Sequence, residues 1–201
     1  MRSNNMNNIR TATKEDNIAI AQVLGELITA HNEDIAIKRA IIKELEQDTL
    51  TSESVLYYGY CHVYEVNNEV VGVISSYPGE LDHQLMAHLM AHLATLTSQF
   101  AEPHSDLAPE QIQQDASKEI IPQGYYLSMV SVLPQYQGQK IGQKLIDYIE
   151  KFAKENGYPC VSLKVEKSNS RAEALYKRLN YQYVDEYQTQ GVVLKYFEKF
   201  L

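Results

Sequence analysis

The stretch Tyr125-Tyr-Leu-Ser-Met-Val-Ser-Val-Leu-Pro134, running straight into Gln135-Tyr-Gln-Gly-Gln-Lys-Ile-Gly-Gln-Lys144, decides how this chain is read. Its first half reads as a buried strand, and Leu133-Pro134 as a sharp turn. Ile141, Leu145, Ile146, Ile149 and Phe152 then recur with a period near 3.6, which predicts a helix. Gly138 and Gly142 bracket the helix start, where the first backbone N–H groups have no intrahelical partner. Bare amides and the positive end of the helix dipole attract an anion, and small residues let a diphosphate come close. Taken alone, the same residues also fit an ordinary strand-to-helix turn with two glycines. Two better-known phosphate loops are excluded by spacing. A Walker loop needs Gly-x-x-x-x-Gly-Lys-Ser/Thr, but Gly138 and Gly142 stand too close and Gln143 follows; a Gly-x-Gly-x-x-Gly fingerprint is absent.

The chain of 201 residues carries 44% hydrophobic and 22% charged residues, ordinary for a soluble globular protein. That length predicts a single domain over 1–201, able to bury about 70% of its unfolded surface. No apolar run approaches a membrane span, and Met1 to Asn8 lacks the apolar core of a signal peptide, so a cytoplasmic location is expected. Cys61 and Cys160 both fall in predicted strands and form no CxxC pair, as expected of inert core thiols. A net charge of −8 argues against a nucleic-acid partner and favours a cationic small substrate.

Outward from the central stretch, Asn8 to Ala12 reads as a first strand. Thr13 with Asp16 marks a helix start, with Ile20, Leu24, Leu27 and Ile28 as its buried face. A second helix is predicted from Asp34 to Gln47. Tyr60 to Val66 and Val70 to Tyr77 read as strands joined by Asn67-Asn68, since Asn tolerates the positive φ of a two-residue hairpin. The segment 78–124 reads as an insertion. It opens with a helix from Leu81 to Phe100 that sets Met86, Leu89, Leu93, Leu96 and Phe100 on one face. A polar stretch from Ala101 to Lys118 follows, too long for a simple connection and suited to a lid or binding segment. His88 and His92 stand at i, i+4, a spacing that can grip a metal, but no third ligand is obvious and Leu89 replaces the Glu of an H-E-x-x-H site. No metal is expected; the two histidines read as partly exposed helix residues, with substrate binding as the alternative. Beyond the central helix, Asn156-Gly157 before Pro159 is a stop signal. Cys160 to Val165 alternates as a strand, Ser170 and Glu173 read as a capping box, and Asn180 as a left-handed cap. Tyr181 to Val184 and Val192 to Phe197 supply two last strands.

Two blocks carry a resemblance. Gln137-Gly-Gln-Lys-Ile-Gly142 resembles the pyrophosphate loop of GCN5-related N-acetyltransferases, Gln/Arg-x-x-Gly-x-Gly/Ala, with Lys140 where the family has its middle glycine. Asn169-Ser-Arg-Ala-Glu-Ala-Leu-Tyr-Lys-Arg-Leu-Asn-Tyr181 resembles the family's Asn-x-x-Ala-x-x-Leu-Tyr block and its Leu-Gly-Phe ending, through Asn169, Ala172, Leu175, Tyr176 and Leu179. The two stand in the family's order, each on the expected element. The resemblance implies an α/β fold: a mixed, mostly antiparallel central sheet flanked by helices, here with a helical insertion before the central strand. It also implies an enzyme that uses acetyl-CoA as cosubstrate and acetylates a primary amine of a small molecule or peptide by direct attack. A non-catalytic acyl-CoA-binding or sensing module of the same fold is the alternative, motivated by Ser128 and Lys140 at positions where active relatives carry other residues. A homodimer through the C-terminal strands stays open.

Carried over residue by residue, the resemblance implies that backbone groups of Val130 and Val132 bind the pantetheine and thioester carbonyl. Gln137, Gly138, Gln139, Lys140, Ile141 and Gly142 hold the diphosphate, Asn169 contacts the cofactor arm, and Tyr176 serves as general acid toward the sulfur. The chemistry also needs a base to free the amine lone pair. Many relatives carry a carboxylate on the central strand, where this chain has Ser128; Glu80, Asp82 and His88 near the insertion are the candidates, acting directly or through water, with an amine that arrives already neutral as the alternative.

Overall fold

The computed structural model describes residues 8–30, 33–100, 123–189 and 192–201. Seven strands form one sheet in the order β1-β2-β3-β4-β5-β7-β6. They are β1 (Ile9–Thr11), β2 (Cys61–Val66), β3 (Glu69–Pro78), β4 (Tyr125–Val132), β5 (Cys160–Glu166), β6 (Gln182–Thr189) and β7 (Val192–Phe200). All neighbours are antiparallel except β4 and β5. The helices are α1 (Asn17–Ile28), α2 (Ile35–Asp48), α3 (Asp82–Phe100), α4 (Ile141–Glu155) and α5 (Ser170–Arg178). This is the mixed, mostly antiparallel sheet flanked by helices that the resemblance implied, with a helix inserted ahead of β4.

Side-chain alternation along the strands sends residues to two cores. On one face, Ile20, Leu24, Ile41, Leu45, Leu85 and Leu89 of α1, α2 and α3 cover Val63, Val73, Tyr77 and Tyr126. On the other, Ile141, Leu145, Ile146 and Ile149 of α4 and Tyr176 of α5 cover Ile74, Tyr125, Leu127 and Leu163. Gly72 on β3 is what lets α4 settle closely. A Cβ there would meet Ile141 Cγ2 at 3.0 Å and Leu145 Cδ1 at 3.2 Å.

Local signals placed most boundaries. Asn67 and Asn68 take φ of 53° and 64°, the two left-handed residues of a type I′ hairpin. Gly157 (φ 82°) and Asn180 (φ 67°) end α4 and α5. Several expectations are corrected. The cap of α5 is Asn169, whose side chain accepts from Ala172 N at 3.0 Å; Ser170 is already helical, and Glu173 binds Lys177 and Lys195 instead of closing a capping box. The Thr13–Asp16 capping box is present as expected, but it opens a short 3₁₀ turn, Lys14–Asp16, ahead of α1. Leu27 is exposed and Val23 takes its place in the core. Tyr60 belongs to a 3₁₀ turn ahead of β2 rather than to the strand. The polar stretch Ala101 to Lys118 and the side chains of Leu96 and Phe100 lie outside the described residues. Among the described residues, no helix is long and apolar enough to cross a membrane.

Candidate active site

The sheet forks at its centre. β4 and β5 pair only through Tyr125, Tyr126 and Leu127 against Val161, Ser162 and Leu163. β5 continues along β7 to Glu166, while β4 stays with β3 to Val132. Ser128 marks the parting: Ser75 faces Met129 and Ser76 faces Leu127, so Ser128 is the extra residue of a bulge, which bends a strand and raises its twist. Beyond it, Leu133 N donates to Val71 O at 2.9 Å. In an antiparallel pair such bonds recur at every second residue, so Val130 and Val132 turn their N–H and C=O groups to the opposite, open edge. Gln137 fits this orientation, since its Nε2 donates to the Val132 carbonyl at 3.0 Å and fastens the following loop to the strand.

That loop delivers the start of α4. Pro134–Tyr136 make one 3₁₀ turn, and residues 137–140 are exposed. Gly138 has a φ of 78°, which glycine adopts without penalty. Lys140, the N-cap of α4, also sits in the left-handed region at φ 62°, ψ 18°. That conformation costs a lysine about 1 kcal/mol relative to the right-handed region. Lys140 offers no side-chain cap and the first turn of α4 holds no acidic residue. The amides there, including those of Ile141 and Gly142, are therefore left open to an anion. Space exists above them: a Cβ on Gly138 meets nothing within 4 Å, and one on Gly142 meets only Val132 Cγ2 at 3.9 Å.

Tyr176 lies on α5 in the same apolar cluster as Val130 and Val132. Its ring stands edge-on to Tyr181 at 5.7 Å, and burial pushes its phenol up to about 12, so it holds its proton at neutral pH. Asn169 is exposed at the start of the same helix.

On the opposite face of the fork Asp82, one of the candidate bases, meets Tyr77 and Lys164, which the sequence reading had not singled out. Tyr77 Oη donates to Asp82 Oδ1 at 2.8 Å, and Lys164 Nζ lies 3.9 Å from Asp82 Oδ2. Burial holds Asp82 above the ordinary carboxylate range, with Lys164, Tyr77 and His83 pulling it partly back. Burial, then the charge of Asp82, pushes Tyr77 well above its usual value. Ser128 Oγ is buried with no hydrogen-bond partner among the described residues.

Of the other candidate bases, Glu80 is exposed. His88 and His92 reach back to α2, where His92 Nδ1 lies 2.6 Å from Asp48 Oδ2 and His88 Nε2 lies 3.3 Å from Oδ1. Asp48, His88, Ala91, His92 and Thr95 line an open cavity of about 400 Å³. Among the described residues, no group of three or more His, Cys, Asp or Glu could hold a metal ion.

The model of the acetyltransferase (GNAT) family matches residues 29–181. A solved structure described as an acetyltransferase is 26% identical, with 96% of this chain and 98% of that chain covered at a TM-score of 0.69. An N-acetyltransferase from Staphylococcus aureus Mu50 is similar at 22% identity, 95% and 99% coverage and a TM-score of 0.69. PaiA N-acetyltransferase from Thermoplasma acidophilum, solved in complex with coenzyme A, follows at 17% identity, 96% and 98% coverage and a TM-score of 0.58. These last two likenesses concern the fold. No curated protein matches the chain.

Proposed function

Because this chain belongs to the acetyltransferase (GNAT) family, we propose that it transfers the acetyl group of acetyl-CoA to a primary amine of a small molecule or peptide by direct attack. The observation that carries this reading is the fork. The open-edge amides of Val130 and Val132 and the uncapped first turn of α4 lie on consecutive pieces of chain, joined by a loop that Gln137 fastens to β4. One donor set suits an amide-bearing pantetheine and a thioester carbonyl, the other a diphosphate. The coenzyme A held by the PaiA relative supports the same cosubstrate here.

Acetyl-CoA supplies the activated thioester. Gln137, Gly138, Gln139, Lys140, Ile141 and Gly142 bind its diphosphate, the last two through amides that no side chain caps. Asn169 contacts the pantetheine arm from the exposed start of α5. Val130 and Val132 orient the carbonyl through N–H groups rather than side chains. Tyr176, kept protonated by burial, donates its proton to the sulfur as the carbon–sulfur bond breaks. The acceptor approaches from the α1–α3 face, and the net charge of −8 favours a cationic one.

The test is incubation of the purified protein with acetyl-CoA and a panel of primary amines, following thiol release and acetylated product. Turnover with at least one amine is expected. Tight binding of acetyl-CoA with no turnover across a broad panel would sink the enzymatic reading.

A further inference from the structure

The loop that carries the open amides at the start of α4 has little behind it. Residues 137–140 are exposed, and a Cβ on Gly138 would meet nothing within 4 Å. Gly138 and Lys140 both stand in the left-handed region, at φ of 78° and 62°. A residue other than glycine keeps such a backbone only where its surroundings over-determine it. Gln137 ties the loop to β4, and two further ties come from the β2–β3 hairpin, one on each side. On the incoming side, Tyr136 Oη donates to Glu69 Oε2 at 3.0 Å. The Tyr136 ring packs against both cores, so this contact fixes the 3₁₀ turn Pro134–Tyr136 at the end of the sheet. On the outgoing side, Lys144 Nζ donates to Tyr64 Oη at 3.0 Å and lies 5.2 Å from the centre of that ring. Lys144 N closes the first turn of α4 on Lys140 O at 3.0 Å, which passes the restraint back to the left-handed residue. Tyr64 and Glu69 stand on either side of the Asn67-Asn68 turn, whose two left-handed residues set the hairpin.

Resting on the acetyl-CoA reading above, we propose that the β2–β3 hairpin sets the diphosphate loop in its binding shape, with Glu69 acting through Tyr136 and Tyr64 through Lys144. Glu69 and Tyr64 are positioning residues, each one side chain removed from the loop. Holding a loop in its bound conformation raises affinity, because the cost of ordering it is no longer met at the moment of binding. The benefit is confined to the diphosphate. The fork that receives the thioester is fixed separately, by the pairing of β4 with β3 and β5. Loss of either tie therefore weakens the grip on acetyl-CoA and leaves bond breaking at the fork alone. Simple electrostatics makes the opposite forecast. Removing the Glu69 carboxylate, or freeing the Lys144 ammonium from the Tyr64 hydroxyl, would draw a diphosphate more strongly.

The experiment compares Glu69→Ala, Glu69→Gln, Tyr136→Phe and Tyr64→Phe with the parent. Titration calorimetry gives the affinity for acetyl-CoA, and kcat and KM follow with an amine that the parent acetylates. S-acetylpantetheine, which has the thioester but no diphosphate, serves as a second acetyl donor. Glu69→Ala, Tyr136→Phe and Tyr64→Phe are each expected to weaken acetyl-CoA binding about 5-fold, the usual worth of one hydrogen bond, with kcat unchanged. Glu69→Gln keeps an acceptor oxygen and most of the affinity. Glu69→Ala and Tyr136→Phe should lose no more together than singly, because both break the same bond. Rates from S-acetylpantetheine should stay within about twofold of the parent throughout. Tighter or unchanged acetyl-CoA binding in both Glu69→Ala and Tyr64→Phe overturns the proposal, as does an equal loss with S-acetylpantetheine. If Tyr64→Phe fails to fold by circular dichroism, the Glu69 and Tyr136 variants decide alone. A parent that binds no acetyl-CoA refutes the proposed function and the positioning role together. A parent that binds and turns over, with variants that match it, refutes the positioning role only.

Discussion

Replacing His62 with leucine should flatten the acid side of the stability profile. His62 sits on β2 beneath α4, its ring 5.1 Å from Tyr148 and 5.3 Å from Phe152. It is 4% exposed, and neither ring nitrogen has a hydrogen-bond partner among the described residues. Burial lowers its pKa from 6.5 to about 4. The unfolded chain therefore binds a proton below pH 6.5 that the folded one refuses until pH 4, so stability is full above 6.5 and falls with pH between the two values. The complete window is worth about 3 kcal/mol at 1.36 kcal/mol per unit, and the drop from pH 7.5 to pH 5 about 2 kcal/mol. Leucine has nearly the same volume and no polar atom to leave unpaired, so His62→Leu should match or exceed the parent at pH 7.5. Urea unfolding followed by far-ultraviolet circular dichroism at both pH values measures the difference. Raised carboxylates such as Asp147 and Asp82 contribute equally to both proteins and cancel. Equal pH slopes in the two proteins would show that His62 is not held neutral by its surroundings.

Other substitutions separate the parts of the site. Tyr176→Phe should lower kcat by about 10- to 100-fold while the KM for acetyl-CoA barely moves, because a lost acid acts on the breaking bond; unchanged kinetics would remove the role assigned to its hydroxyl. Asn169→Ala removes the cap on Ala172 N and should cost about 1 kcal/mol in thermal unfolding, and titration calorimetry should show weaker acetyl-CoA binding. Lys140→Gly relieves a left-handed backbone and should stabilise by about 0.5 kcal/mol or more, net of the added freedom of the unfolded chain; a lower melting temperature would contradict the geometry. Gly72→Ala should destabilise by about 1 kcal/mol and lift the start of α4 off the sheet, with acetyl-CoA affinity falling as the readout.

Features governed by residues close in sequence were legible without a structure. The hairpin at Asn67-Asn68, the ends of α4 at Gly157 and of α5 at Asn180, and the strand-turn-helix around Pro134 all follow from φ preferences and hydrophobic period. The same logic picked out the start of α4 as a helix terminus that no side chain caps, since such a terminus needs only its own few residues to exist. It missed the cap of α5 by one residue, because Asn169 and Ser170 are both good caps and only geometry chooses between them.

What stayed hidden depends on meetings between distant segments. The resemblance set Ser128 where relatives carry a carboxylate, but only the register of β3 against β4 makes it the bulge at the fork. Asp82, bonded to Tyr77, meets Lys164 only because the sheet sets β5 beside β4 and so joins residues about eighty positions apart. His88 and His92 took the spacing of a metal pair, yet the carboxylate that meets them comes from Asp48 at the end of α2. Local dihedral preferences and side-chain periodicity are properties of a few neighbouring residues and survive in any context. Register, burial and the choice of partner are set by how whole strands and helices pack, and no window of sequence contains them.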